Sequence, residues 1–137
     1  MAEYQLPHLI TFRKTGEPGQ GYINIAELEK DISFPVKRIF WTYDTPESVI
    51  RGKHAHYETE QILIAVSGRI VVTTEMGNGE KVSWLLDNPN VGVYLPPNAW
   101  HTMQYSENAI QLVLASTLYK EEDYIRTYEK FKAIYKG

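Results

Sequence analysis

Between Leu9 and Ala115 the chain breaks into short stretches in which apolar and polar residues alternate, each bounded by Gly, Pro, Asn or Asp. A period of two is the side-chain repeat of a half-buried strand. It predicts strands over Leu9–Arg13, Tyr22–Leu28, Val36–Tyr43, Gln61–Val66, Arg69–Glu75, Lys81–Leu86, Val91–Leu95, Trp100–Tyr105 and Ile110–Ala115. Ser67-Gly68 and Gly77-Asn78-Gly79 mark tight turns, because Gly and Asn accept positive φ. Many short strands at this spacing make an all-β sandwich or barrel. The period then changes: Tyr124, Ile125, Tyr128, Phe131, Ile134 and Tyr135 recur at helical spacing, predicting one C-terminal amphipathic α-helix. Glu121, Glu122 and Asp123 stand before it and Lys130, Lys132 and Lys136 toward its end, the order that complements a helix dipole.

At 137 residues the chain fits one compact domain over 1–137, with no repeat or linker to divide it. Hydrophobic residues are 43% and charged residues 23%, the balance of an ordinary globular protein. No apolar run reaches the roughly 20 residues of a membrane span, and Met1–Ile10 lacks a basic stretch followed by an apolar core, so a cytoplasmic protein is expected. The absence of cysteine closes disulfides, thiolate metal sites and thiol catalysis. A net charge of −3 with mixed signs provides no basic stripe for nucleic acid. A doubly charged pyrophosphate, by contrast, needs only a few local Arg or Lys residues.

The chemistry concentrates in histidine. Three of the four fall in two segments, Arg51-Gly52-Lys53-His54-Ala55-His56 and Pro96-Pro97-Asn98-Ala99-Trp100-His101. On a strand His54 and His56 share a face, so two imidazoles can enter one cavity. Strand alternation sends Arg51 and Lys53 to the opposite side unless the backbone bulges near Gly52. Two histidines on one strand face are also common at hydrated edges, and His101 alone would suit a hydrogen-bonded core position; the two segments together favour a site. His8 lies outside both and reads as a surface or edge-strand residue.

The pieces resemble the two-part cupin pattern: His54, His56 and Glu60 followed by Gly68, then Pro96 and His101. The gap from Glu60 to Gly68 is one residue longer than usual, and Asn98 replaces the customary Gly. The resemblance implies a cupin jelly-roll with the C-terminal helix appended. It narrows further, because Arg51–His56, Pro89-Asn90-Val91-Gly92-Val93-Tyr94 with Trp100-His101, Leu114-Ala115-Ser116 with Asp123-Tyr124-Ile125-Arg126, and Phe34-Pro35-Val36-Lys37-Arg38 are similar to the bacterial sugar 3,4-ketoisomerases. That resemblance implies a dTDP-4-keto-6-deoxyglucose substrate, no metal or other cofactor, and a homodimer exchanging its N-terminal strand. It also implies a pathway in which a PLP-dependent aminotransferase makes 3-amino-3,6-dideoxy sugars for surface polysaccharides.

The reaction suits imidazole, whose pKa near ~6.5 lets it accept and donate protons at neutral pH. By resemblance His54 is the base, while His56 and His101 are expected to donate hydrogen bonds to a developing enediolate. Arg51 and Lys53 are assigned to substrate or pyrophosphate, and Trp41 and Tyr94, with Tyr43, to the thymine or the sugar pocket. Aromatic residues in β proteins are more often packing. Phe40 stands where the family commonly has Tyr, so a hydroxyl there is absent or supplied by a neighbour. His101 matches the branch that yields the galacto configuration at C4, and Gln20 occupies a site where the branches carry Arg or Tyr. Two other classes remain open: a metal-dependent cupin using His54, His56, Glu60 and His101, and a silent sugar-binding cupin; a sugar epimerase is a nearer competitor.

Overall fold

The computed structural model describes residues 4–134. Its strands are β1 (His8–Thr11), β2 (Arg13–Glu17), β3 (Gly21–Ile25), β4 (Arg38–Thr42), β5 (Ile50–His56), β6 (Gln61–Ser67), β7 (Ile70–Glu75), β8 (Lys81–Leu86), β9 (Val91–Leu95), β10 (Trp100–Tyr105), β11 (Ile110–Ala115) and β12 (Tyr124–Ile125). One helix, α1 (Tyr128–Ile134), follows. The strands form two five-stranded antiparallel sheets, ordered β1-β9-β6-β11-β4 and β12-β5-β10-β7-β8, with β2 and β3 a separate hairpin. This is the expected cupin jelly-roll with a helix at its C-terminal end. No described helix is long and apolar enough to cross a membrane.

Alternation along each strand builds the core. Leu63 and Ala65 of β6 face inward and pack with Val72, Leu86, Val93 and Tyr105 between the sheets. Their neighbours Ile62 and Ile64 face outward, where Phe12, Ile32 and Phe34 cover them. β6 is therefore buried on both faces and reads as a continuous apolar run. A third cluster, Ala55, Ile125 and Phe131 with Trp100 against it, fastens α1 to the outer face of β5. Glu75 completes that fastening, accepting from the Tyr128 hydroxyl at 2.8 Å and from Lys132 at 3.3 Å.

Three departures from the sequence reading have local causes. Residues Arg13–Glu17 pair with Gly21–Ile25 although they show no alternation, because β2 is exposed along its whole length and has no face to bury. The predicted helix begins later, at Tyr128: Tyr124 and Ile125 instead pair with His56 and Ala55 as β12, and Glu121–Asp123 form a 3-10 turn. Ile125 and Phe131 still share one apolar cluster, which explains the misleading periodicity. Tyr135 and Lys136 lie outside the described residues. β5, the strand implied by the His-x-His motif, departs from plain alternation because it carries a bulge.

In that bulge His101 pairs with His54 but Thr102 pairs with Gly52, which leaves Lys53 as an extra residue. Gly52 has φ of 86° and Lys53 of 61°. One extra residue reverses the parity of the strand, so Arg51 reaches the same interior space as His54. A Cβ on Gly52 would stand 2.9 Å from the His101 carbonyl oxygen and 3.2 Å from the Thr102 Cα, as well as requiring a left-handed backbone. Gly52→Ala is therefore expected to lower unfolding stability by about 1–3 kcal/mol, read from urea melts; an unchanged midpoint would mean that the bulge is not held as described.

Candidate active site

A cavity of about 220 Å³ opens between the sheets. His54 from β5 and His101 from β10 line it, with Arg51, Gln61, Tyr124 and Arg126. The ring centroids of His54 and His101 are 4.7 Å apart and those of His54 and His56 5.1 Å, so both sequence segments meet at one place. The Asn98 N–H donates to the His56 carbonyl at 2.7 Å and ties the segments together. Asn98 holds φ of 66°, a conformation Asn adopts more readily than most residues, which accounts for Asn in a position that customarily carries Gly.

Each imidazole is fixed through Nδ1. That of His54 lies 3.1 Å from the Gly52 carbonyl oxygen, that of His101 3.0 Å from the Ala99 carbonyl oxygen, and that of His56 3.2 Å from Asp123 Oδ2. Carbonyl and carboxylate oxygens accept, so Nδ1 carries the proton and Nε2 is left with a lone pair. The ligand-capable nitrogens of the three rings all lie within 4.8 Å of one another. Burial pushes the three imidazoles down, His54 to about 2, His56 to about 3 and His101 to about 4, with mutual repulsion adding to the effect on His54 and His56. At neutral pH the site presents three lone pairs rather than three N–H donors. The expected donation from His56 and His101 to an oxyanion thus requires each first to take up a proton.

The rest of the polar lining differs from the sequence expectation. Glu60 faces away, accepting from the Tyr94 hydroxyl at 2.7 Å, and Tyr94 itself is buried with Phe34 in the cluster outside the barrel. Neither lines the histidine cavity. The inward residue is its neighbour Gln61, and counting to Gly68 from Gln61 restores the usual cupin gap; the extra residue in the motif was the available signal. Three histidine nitrogens suit a divalent cation, but the donor set lacks the motif's carboxylate, so the residues do not complete the three-histidine, one-carboxylate group that the cupin pattern implies.

Lys53 is exposed at the bulge, and Gln20 is exposed in the turn of the β2–β3 hairpin, both outside the cavity. Trp41 is 62% exposed and lines an adjoining surface cavity with Tyr43 and Arg51. Phe40 lines the histidine cavity, and the phenol-bearing residues near it are Tyr105 and Tyr124. The Tyr105 hydroxyl is engaged with Gln111 at 2.8 Å. Arg126 lies over the Tyr124 ring at 4.1 Å and is held by Glu121 at 2.6 Å, whereas Arg51 has no carboxylate partner among the described residues. His8 is on edge strand β1, its ring tilted against that of Tyr94 with centroids 5.1 Å apart.

Buried neutral histidines leave a mark on stability. Below an unfolded pKa near ~6.5 the unfolded chain takes up protons that the native rings refuse, so stability falls as pH drops. The window from pH 6.5 to 5 isolates this effect, because the lowered carboxylates Glu75 and Glu121 act only nearer their own, more acidic range. Each refused proton contributes up to about 1.4 kcal/mol per pH unit. Urea melts at pH 6.5 and 5 should show this loss, and His101→Gln should flatten the slope by about one proton; a slope no different from wild type would show that His101 titrates normally.

Comparisons with known proteins agree with this geometry. The family described as FdtA, WxcM-like, C-terminal matches residues 5–136. A TDP-4-oxo-6-deoxy-alpha-D-glucose-3,4-oxoisomerase of Aneurinibacillus thermoaerophilus is 38% identical over 126 residues, covering 90% of this chain and 88% of that protein. A 3,4-ketoisomerase from Helicobacter canadensis superposes with a TM-score of 0.90 at 34% identity, over 96% of this chain and 98% of that one. The sugar 3,4-ketoisomerase QdtA from Thermoanaerobacterium thermosaccharolyticum, solved with TDP, superposes at 0.89 with 31% identity over 95% and 94% of the two chains. The fold, the paired histidine segments and the match along almost the whole length place the chain in the FdtA, WxcM-like family of sugar 3,4-ketoisomerases.

Proposed function

We propose that the chain converts dTDP-4-keto-6-deoxyglucose into the 3-keto isomer, with His54 as the base. The observation that carries this reading is the convergence of three neutral imidazoles, two of which, His54 and His101, line one small cavity. Moving the ketone from C4 to C3 needs no oxidant. The His54 Nε2 takes the C3 proton, the C–H electrons form a C3–C4 double bond, and O4 becomes an enediolate oxygen. Transfer of the O3 hydrogen to O4 and return of a proton to C4 then leave the carbonyl at C3 and the hydroxyl at C4. The Nε2 lone pair of His101, which lines the cavity, is suited to accept the hydroxyl hydrogen and then give it back, with His56 packed behind it. Desolvation keeps the base unprotonated but also weakens it, so precise placement against the acidified C3–H must supply much of the rate.

Arg51 is the cation we assign to the diphosphate, because it lines the cavity and has no carboxylate partner. Trp41 and Tyr43, exposed in the adjoining cavity that Arg51 shares, are placed to receive the base of the nucleotide. Lys53, Gln20 and Tyr94 have no such support from this chain alone. His101 in the cavity favours the galacto configuration at C4. The 3-keto product is the form that a PLP-dependent aminotransferase would consume in a cytoplasmic route to a 3-amino-3,6-dideoxy sugar.

An apolar groove of about 650 Å³ outside the first sheet, lined by Tyr22, Leu28, Val36, Ile39 and Val66 among others, supports a homodimer. Light scattering after gel filtration should report twice the chain mass, and Ile39→Asp should shift it toward monomer; a monomeric wild type would sink this part.

The reaction is tested by proton NMR with dTDP-4-keto-6-deoxyglucose in deuterated buffer. A 3-keto product with deuterium at C4, formed with or without chelator and lost in His54→Asn, is the expected result, and the C4 coupling reports the configuration. Activity abolished by chelator would favour the metal-dependent alternative, and neither product nor exchange would refute isomerisation of this sugar.

A further inference from the structure

A ketone oxygen accepts hydrogen bonds, and the enediolate oxygen it becomes accepts them more strongly, so the cavity needs a donor. The two imidazoles that line it do not supply one: His54 and His101 spend their Nδ1 protons on the carbonyls of Gly52 and Ala99. Arg126 is committed to Glu121 at 2.6 and 2.8 Å, and the Tyr105 hydroxyl donates to Gln111 at 2.8 Å. Gln111 pairs with Ala65, four residues along β6 from Gln61, and Tyr105 stands four residues beyond His101 on β10, so that pair lies deeper along the strands than the histidines. The lining hydroxyls of Thr42 and Tyr124 belong to half-buried residues. Gln61 is different. It is 3% exposed, it lines the cavity, and its side-chain amide has no hydrogen-bond partner among the described residues. A buried amide without a partner is costly, so its protein environment leaves it suited to a ligand. Gln61 opens β6 just after the loop that leaves His56, and its backbone is fixed by Ala115 on one side and Leu95 on the other.

We propose that Gln61 is a catalytic residue of this site, donating a hydrogen bond from its side-chain NH2 group to the substrate oxygen on which negative charge grows. That this oxygen is O4 rests on the keto-sugar reading above. No bond forms or breaks at the amide. Its hydrogen bond draws electron density from C4, acidifies the C3–H and strengthens as the ketone becomes an enediolate, so it favours the transition state over bound substrate. An amide suits a position at which the cupin motif carries a carboxylate. An ionised Glu accepts only, would oppose the charge growing on O4, and would draw protons onto the imidazoles whose lone pairs the reaction uses. Gln has the same length, carries no charge and brings two N–H donors.

Gln61→Met keeps the length of the side chain and removes the donor. Its kcat should fall about 100-fold or more, as when one oxyanion donor is lost, while the Kd for TDP stays near wild type. Gln61→Glu, closer still in shape, should lose activity to a similar extent at neutral pH. The direct readout is the 13C resonance of C4 in labelled keto sugar bound to His54→Asn, which holds the sugar unreacted. Binding should move that resonance downfield, and adding Gln61→Met or Gln61→Glu should return it toward its free position. A Gln61 that merely packs would lower Tm in these variants yet leave kcat and the C4 shift unchanged, and that result would overturn the proposal. So would a downfield shift that survives both substitutions, since another group would then be the donor. Should Gln61→Met fail to fold, Gln61→Glu decides by the same two readouts. A wild type that binds the keto sugar without converting it would sink the isomerase reading; the donor assignment is then decided by whether the C4 shift seen in wild type disappears in the Gln61 variants.

Discussion

One extra residue in β5 decides what the barrel can hold. Regular pairing along Ile50–His56 would send Arg51 and His54 to opposite faces, one into the barrel and one against its exterior. The bulge at Gly52 and Lys53 reverses parity between them, so a cation and a base both line the interior space. Beyond the bulge the alternation resumes: His56 returns inward, and Ala55 between the histidines faces out to receive Ile125 and Phe131. The same strand thus anchors the C-terminal segment on one face and supports the site on the other. The conformation is held by close backbone packing, since there is no room for a side chain between Gly52 and the His101 carbonyl.

Backbone carbonyls then do for His54 and His101 what side chains do in many active sites. Gly52 and Ala99, each two residues before the histidine it serves, turn a carbonyl oxygen to Nδ1 and so aim the Nε2 lone pair. The bulge is part of this arrangement, because it is Gly52 whose oxygen orients His54. Burial keeps all three rings neutral, which preserves their lone pairs and leaves the cavity without fixed charge except at its rim. There Arg126 is already neutralised by Glu121 and Arg51 is not. An anionic nucleotide sugar would meet its uncompensated cation at the rim and the neutral bases deeper in.

The jelly-roll was legible because most of its strands bury one face and alternate. β2 escaped because neither of its faces is buried, and the helix was drawn too long because Ile125 and Phe131 reach the same apolar cluster from a strand and a helix. The convergence of His54, His56 and His101 was readable from their spacing, and Phe40, noted for standing where the family commonly has Tyr, lines the cavity. Gln61 was recoverable from the anomalous motif gap, since shifting the count by one exchanges an outward Glu for an inward Gln. Asp123 had no comparable signal. It is 67 positions from His56, and as one of three consecutive acids before a helical pattern it resembled ordinary dipole compensation. Gln20, exposed on a hairpin, acquires a role only if another chain covers it.

The displacement of the C-terminal segment from helix into β12 matters to the chemistry for this reason. A helix running through Tyr124 and Ile125 would lack the extended pairing that sets Tyr124 opposite His56. As built, the 3-10 turn presents the Asp123 carboxylate to His56 and Thr59, and β12 immediately afterward places Tyr124 against His54 and His56, with ring centroids at 5.1 and 4.4 Å. Arg126 follows at the rim. One short segment therefore brings three features to the site: an anion behind His56, and an aromatic ring and a neutralised cation in the cavity lining. α1 fastens that segment from outside, with Phe131 fully buried against Ile125, a contact worth about 1.5–3 kcal/mol in apolar burial. The C-terminal helix is thus coupled to the histidines through β12, although it contributes no side chain to the cavity lining itself.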